Sequence, residues 1–170
     1  MISEKIQLIL SSTPHNIHQI ERFVEDICDE YNINNTYFGN ILVVLTEAVE
    51  NAMKHGNSYD ITKNVEISFT SKPEGLSFII KDEGNGFDIS NIPDPTDLKS
   101  NPDELKGRGI FCIRTLADEV RFFDGGKSLE ILFKISSINN EMALDRINKL
   151  KYYSIGVKET ASSSNRNHLS

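Results

Sequence analysis

The pairing of short apolar runs across turn residues constrains this chain more than any other feature. Residues 64–71 and 76–82 flank Lys72-Pro73-Glu74-Gly75, and residues 119–124 and 128–135 flank Gly125-Gly126. Strand-length runs joined by such residues read as hairpins, and hairpins pair antiparallel. A fifth run, residues 5–11, places Ile6, Leu8 and Leu10 on one side at period two, with Ile9 breaking the alternation. Five strands of this kind predict a mainly antiparallel sheet.

Helical spacing occupies two segments between the first strand and the first hairpin. Ser12 or Thr13 followed by Pro14 marks a helix start, after which Ile17, Ile20, Phe23, Val24, Ile27 and Tyr31 recur on one face. Asn32 to Thr36 is a mainly polar break. A longer helix is expected over Tyr37–His55, with Ile41, Leu42, Leu45, Ala48, Val49, Ala52 and Met53 as its apolar face. Gly56 reads as its C-terminal stop, and Asp60–Lys63 as a connector. A short helix over 108–117 carries Ile110, Ile113, Leu116 and Ala117 between the two hairpins. The order predicts an α+β fold, a two-layer sandwich with helices on one face of the sheet.

No internal repeat is present. Residues 84–107 form a loop rich in Gly, Pro, Asn and Asp. Loops longer than ~12–15 residues are uncommon in compact domains, and those that occur are usually functional or disordered. Two parts are expected, a domain over 1–136 and a C-terminal extension over 137–170. The extension begins with a short helix at 141–151, and its polar end after Ser154 is expected to be disordered.

Charge and cysteine usage narrow the function classes. The 170-residue chain carries a net charge of −7, which argues against direct nucleic-acid binding, because a phosphate backbone needs a basic footprint. Cys28 and Cys112 stand singly in apolar-patterned segments, with neither metal-ligand spacing nor a disulfide framework. The N-terminal segment lacks the pattern of a signal peptide, and no run reaches the ~18 apolar residues of a membrane span. A cytoplasmic location without membrane contact is the expectation.

Three clusters carry possible chemistry. In Thr46–Gly56, Glu47 and Asn51 are four residues apart and share one helix face. A carboxylate there can orient and deprotonate a hydroxyl or water, and an amide oxygen is a hard ligand of the kind magnesium takes. A solvated polar face is the plainer alternative, since Glu50 and Lys54 lie nearby. Asp82-Glu83-Gly84-Asn85-Gly86-Phe87 follows an apolar strand. Asp82 at a strand end can accept a hydrogen bond from the exocyclic amine of adenine, and Gly84 and Gly86 let backbone approach a ligand. A surface turn is the alternative. Lys106-Gly107-Arg108-Gly109-Ile110 opens a helix. Amide groups freed by Gly107 and Gly109 bind phosphate, with Arg108 adding charge, unless the segment is only a basic loop end. The chain has no GxxxxGK[ST] loop and no dinucleotide fingerprint.

Taken in order and spacing, these clusters resemble the GHKL ATPase superfamily over about residues 5–135. That superfamily includes gyrase, sensor histidine kinases and mismatch-repair ATPases. Glu47-Ala48-Val49-x-Asn51-Ala52-x-x-His55-Gly56 and Gly107-Arg108-Gly109-Ile110-Phe111 look most like its anti-sigma-factor serine/threonine-kinase branch. The resemblance implies the histidine kinase-like ATPase fold, with ATP and Mg2+ bound. It implies Glu47 as catalytic base, Asn51 as magnesium ligand and Asp82 as the adenine-binding carboxylate. Gly84 and Gly86 would border the adenine pocket, 88–106 would be the ATP lid, and Gly107 and Gly109 would meet the phosphates. It also implies a homodimer that binds a sigma factor and phosphorylates a small anti-sigma-factor antagonist protein.

Other residues take plain readings. His15, His18, His55 and His168 are scattered and are assigned no metal. Phe87 and Phe111 are expected to pack. Arg22 lies near where the branch places a partner-contacting arginine, although a solvated helix charge is the plainer reading. The chief alternative function is a module in which nucleotide only sets affinity for a partner. A sensor histidine kinase half would need a phosphoacceptor hairpin upstream, where only about 40 residues precede the motif helix. Topoisomerase and chaperone ATPases would need large further domains.

Overall fold

The computed structural model describes residues 5–86 and 108–134, together with residues 136, 138, 139, 144, 147, 148, 150 and 151. Five strands form one sheet in the order β1-β2-β3-β5-β4, where β1 is Ile6–Ser11, β2 Asn64–Lys72, β3 Gly75–Lys81, β4 Glu119–Phe123 and β5 Ser128–Lys134. Every neighbouring pair is antiparallel. Helices α1 Gln19–Glu30, α2 Asn35–Asn51 and α3 Arg108–Leu116 accompany them among the described residues. The α+β expectation is met.

Period-two alternation determines which sheet face is buried. Val65, Ile67 and Phe69 of β2, Leu76, Phe78 and Ile80 of β3, and Leu129, Ile131 and Phe133 of β5 are buried in one core with the helices. The register stacks Phe69 opposite Phe78 and Phe78 opposite Ile131. The Phe69 and Phe78 ring centroids lie 5.1 Å apart. The opposite face carries polar pairs, such as Glu130 with Lys72 and Ser77. Ile9, which broke the alternation, is 60% exposed. Gly75 is required by packing rather than by its turn, because a Cβ there would lie 2.1 Å from the Phe133 carbonyl oxygen on β5.

The first helix differs in its start. The helical path opens at Pro14 with Thr13 in the N-cap position, but Pro14–His18 form a 3-10 turn and no side chain caps it. Ser12 is instead fully buried and donates to the Lys63 carbonyl at 2.7 Å. From α1, Ile20, Phe23, Val24 and Ile27 are buried as the spacing predicted.

Helix α2 starts at a side-chain cap, where Asn34 Oδ1 accepts from the Tyr37 amide at 3.1 Å. Such a cap is worth ~1 kcal/mol. Tyr37, Ile41, Val44, Leu45, Ala48 and Val49 are buried, and Val43 faces outward, 44% exposed. The end of this helix departs from expectation. Residues Ala52–Gly56 widen into a π-helical turn, which ends at Gly56 although that glycine is not in the left-handed conformation of a capping residue. The chain leaves through Ser58 and Tyr59, both left-handed, at φ 53° and 54°. The Tyr59 amide closes the turn onto the Met53 carbonyl at 2.8 Å. Left-handed backbone costs roughly 1–2 kcal/mol at a residue with a Cβ, so the surroundings must hold this exit in place.

At the C-terminal end, the described residues among 136–151 are helical, and Ile138 joins the core. The expected helix at 141–151 falls only partly on described residues. The expected tail after Ser154 and the loop at 88–106 lie outside them.

Candidate functional site

Helix α2 carries its polar row beside its core stripe, so Glu47 and Asn51 stand at the core boundary, both half-buried. The start of α3 is pressed onto that row. A Cβ on Gly109 would lie 2.9 Å from both Asn51 Nδ2 and Glu47 Oε2, and 3.4 Å from Asn51 Oδ1. A side chain at this position would have to displace the ends of the Glu47 and Asn51 side chains. Asn51 Nδ2 is buried without a hydrogen-bond partner, and burying an amide unpaired costs about 1–3 kcal/mol.

Two causes raise the Glu47 carboxyl above its usual pKa, burial first and then the neighbouring Glu50 charge. Cys112, one turn into α3, is pushed up by burial and by Glu47. A thiol held protonated is a poor nucleophile or metal ligand.

Asp82 sits just past the end of β3 and is 4% exposed. Its amide donates to the Lys127 carbonyl at 2.9 Å, which ties it to the turn between β4 and β5. Its Oδ1 accepts from the Gly84 amide at 2.8 Å. Gly56 lies directly behind it, where a Cβ would fall 2.4 Å from Asp82 Cγ. Burial raises the Asp82 carboxyl, while the Gly84 hydrogen bond and the charges of Lys127 and Lys63 pull it back.

The glycines of the Asp82 loop serve distinct purposes. A Cβ on Gly84 would lie 1.8 Å from the Gly56 carbonyl oxygen, so Gly84 is needed for close approach. Gly86 has φ 78°, and a Cβ there would lie 2.0 Å from the Gly125 carbonyl oxygen. Gly84 therefore meets the end of α2, and Gly86 meets the β4–β5 turn.

Between Asn51 and Asp82 lies a cavity of about 20 Å³, walled by Ala48, Ile80, Ile110, Phe122 and Leu129 and by Gly126 and Lys127. That volume holds about one water molecule. A purine fits only if the walls separate. The apolar walls with a single buried carboxylate at one end are the pattern of a small-ligand site. A larger cavity of about 520 Å³ lies between α1 and the start of α2, lined by Arg22 and acidic residues. It touches none of Glu47, Asn51, Asp82 or Gly109.

The structure thus brings together Glu47, Asn51 and Gly109, and places Asp82 across the small cavity from Asn51. Gly107 lies outside the described residues, and Arg108 is described only as the first residue of α3. Phe87 is also outside them. Phe111 was expected to pack but is 43% exposed, on a helix whose buried residues are Ile110 and Ile113. Sequence reasoning missed Gly56 as Asp82's neighbour, Lys127 at the cavity, and the buried Asn57. For Lys127 the signal was present, in the glycine pair just before it.

Among the described residues, no group of three or more His, Cys, Asp or Glu is arranged to hold a metal ion. A magnesium ion recruits few protein ligands and completes its octahedron with phosphate and water oxygens. The Asn51 amide suits that use. Its oxygen can meet a cation, and its Nδ2 is buried without a hydrogen-bond partner. Among the described residues, no helix is long and apolar enough to cross a membrane.

Comparison with known proteins gives a consistent picture. Residues 10–133 match the model of the histidine kinase-like ATPase domain. A search of curated proteins gives no match. Among solved structures, the chain is similar to the RsbU and RsbW domains of Rv1364c from Mycobacterium tuberculosis, with a TM-score of 0.55 and 14% identity. The likeness covers 78% of this chain and 32% of that one, and at this identity it speaks for the fold.

Proposed function

Since the chain belongs to the histidine kinase-like ATPase domain family, we propose that it binds ATP with Mg2+ and transfers the γ-phosphoryl group to a serine or threonine of a small protein. The observation that carries this reading is the convergence of Glu47 and Asn51 on Gly109, with Asp82 buried across the cavity. In this reading Asp82 accepts the exocyclic amine of adenine through Oδ2, since Oδ1 is already engaged by Gly84. Asn51 holds the magnesium ion, which neutralises phosphate charge when bound. The backbone amides of Gly107 and Gly109 donate to phosphate oxygens, with Arg108 adding charge. Glu47 accepts the proton of the attacking hydroxyl.

The likeness to the anti-sigma-factor kinase branch supports a particular setting. The protein acts as a homodimer that holds a sigma factor and phosphorylates an antagonist of that complex. The domain itself occupies 1–136, with 137–170 as an extension.

Isothermal titration tests the nucleotide claim. ATP and ADP are expected to bind, and to bind more tightly with Mg2+ than without it. Negligible heat in both conditions removes the reading. A radiolabelled transfer assay with a partner pulled down from the native host then tests phosphorylation.

A pH titration adds a second check. Burial favours the neutral form of Asp82, so its folded pKa lies above the ordinary value of 3.8. The neutral form stabilises the nucleotide-free fold at acid pH, and that contribution is lost as pH rises through the raised pKa. ATP needs the ionised acceptor, so affinity is expected to decline as pH falls through that same raised value. Asp82→Asn should lack this step. A parent affinity that stays flat from pH 7 until the protein unfolds counts against Asp82 as the adenine acceptor.

A further inference from the structure

Asn57 directly follows the π-helical turn and is 1% exposed. Its amide spends every polar atom on a separate segment of chain. Nδ2 donates to Ser12 Oγ at 2.7 Å and to the Asn64 carbonyl at 3.0 Å. Oδ1 accepts from the Glu83 amide at 2.8 Å. The partners leave no choice of orientation, because a carbonyl needs a donor and an amide N–H needs an acceptor.

Glu83 is the residue between Asp82 and Gly84. The end of α2 therefore grips three consecutive residues of that loop. Gly56 lies behind the Asp82 carboxylate, its carbonyl oxygen abuts Gly84, and Asn57 holds the Glu83 N–H. A second tie runs from Glu83 Oε2 to the Asn64 amide. The π-helical turn and the left-handed pair Ser58 and Tyr59 are what direct Asn57 inward. Wide turns and strained exits of this kind concentrate at functional sites.

We propose that Asn57 is a positioning residue that couples the two halves of the nucleotide site. It transmits the placement of α2, which carries Glu47 and Asn51, to the loop that carries Asp82. Adenine selectivity then depends on Asn57 although it touches no nucleotide. The inference rests on the ATP-binding reading above.

The test compares ATP and GTP affinities by titration in the full chain, with Mg2+, for the parent, Asn57→Ala and Ser12→Ala. Ser12→Ala breaks the same network on the side away from the loop, and serves as the control for lost stability. The parent should prefer ATP. Asn57→Ala should reduce that preference by about 10-fold, the scale of one lost buried hydrogen bond. Ser12→Ala should lower the melting temperature yet keep the preference. If Asn57→Ala keeps the parent preference, or if Ser12→Ala loses it equally, the positioning role is overturned.

Amide hydrogen exchange provides a check that needs no variant. Without nucleotide, the Glu83 amide of the parent should exchange as slowly as amides within β3. Rapid exchange at Glu83 overturns the proposal even if Asn57→Ala does not fold. A parent that binds neither nucleotide removes the ATP reading and the inference together. A selective parent with an unaffected Asn57→Ala removes the inference alone.

Discussion

Replacing Glu47 with alanine is expected to lower phosphoryl transfer to a partner serine or threonine by ~10²–10⁴-fold, the usual contribution of a general base. The side chain is half-buried on α2, and its pKa is raised by burial and by Glu50. A carboxylate raised toward neutral pH is a stronger proton acceptor than one at its ordinary value. ATP affinity should change little, because Glu47 meets the hydroxyl and not the nucleotide base. Removing a carboxylate whose charge is partly desolvated should not unfold the domain. Asn51→Ala should weaken ATP binding and transfer together, since the same amide is the proposed metal ligand. The transfer assay and the titration must be run on the same preparations. If the parent binds its partner in an ATP-dependent way but transfers no phosphate, the kinase reading fails. The domain is then a nucleotide-regulated binding module, and Glu47 is an ordinary polar residue beside a core stripe.

The parts of this molecule that were legible in the sequence are those with local signals. The hairpins follow from period-two runs joined by Pro73 and Gly75 or by Gly125 and Gly126, and both pair as expected. The buried face of α2 follows from its 3.6-residue spacing, because packing against a sheet demands a continuous stripe. Features set by distant chain were not legible. Gly56 carries the same local signal as a helix stop, yet it is glycine because the Asp82 carboxylate, 26 residues later, lies against it. The actual exit uses Ser58 and Tyr59 in left-handed backbone, which neither residue type advertises. Asn57 draws no notice in the sequence, because its partners Ser12, Asn64 and Glu83 come from separate segments. Phe111 shows the opposite failure. Its hydrophobicity suggested packing, but the helix buries Ile110 and Ile113 instead.

Asp82→Asn is expected to weaken ATP binding by roughly 10- to 150-fold, the equivalent of ~1.5–3 kcal/mol for a hydrogen bond to a charged acceptor. The geometry sharpens the expectation beyond a lost charge. Oδ1 of Asp82 is committed to the Gly84 amide at 2.8 Å. An asparagine must keep its oxygen there, because turning its NH2 toward Gly84 would oppose two donors. Its NH2 then points where the exocyclic amine of adenine is proposed to lie, and two donors again face each other. A base with a carbonyl at that position, such as guanine, meets no such conflict. ATP affinity should therefore fall, while GTP affinity holds or improves. The fold should persist, since the substitution is isosteric and removes a buried charge whose pKa burial already raises. Circular dichroism checks the fold, and paired titrations with ATP and GTP check the exchange of preference. An equal loss for both nucleotides would mean that the loop had simply moved. Unchanged ATP affinity would leave Asp82 as a turn residue, held in place by Gly56 and Gly84 for structure alone.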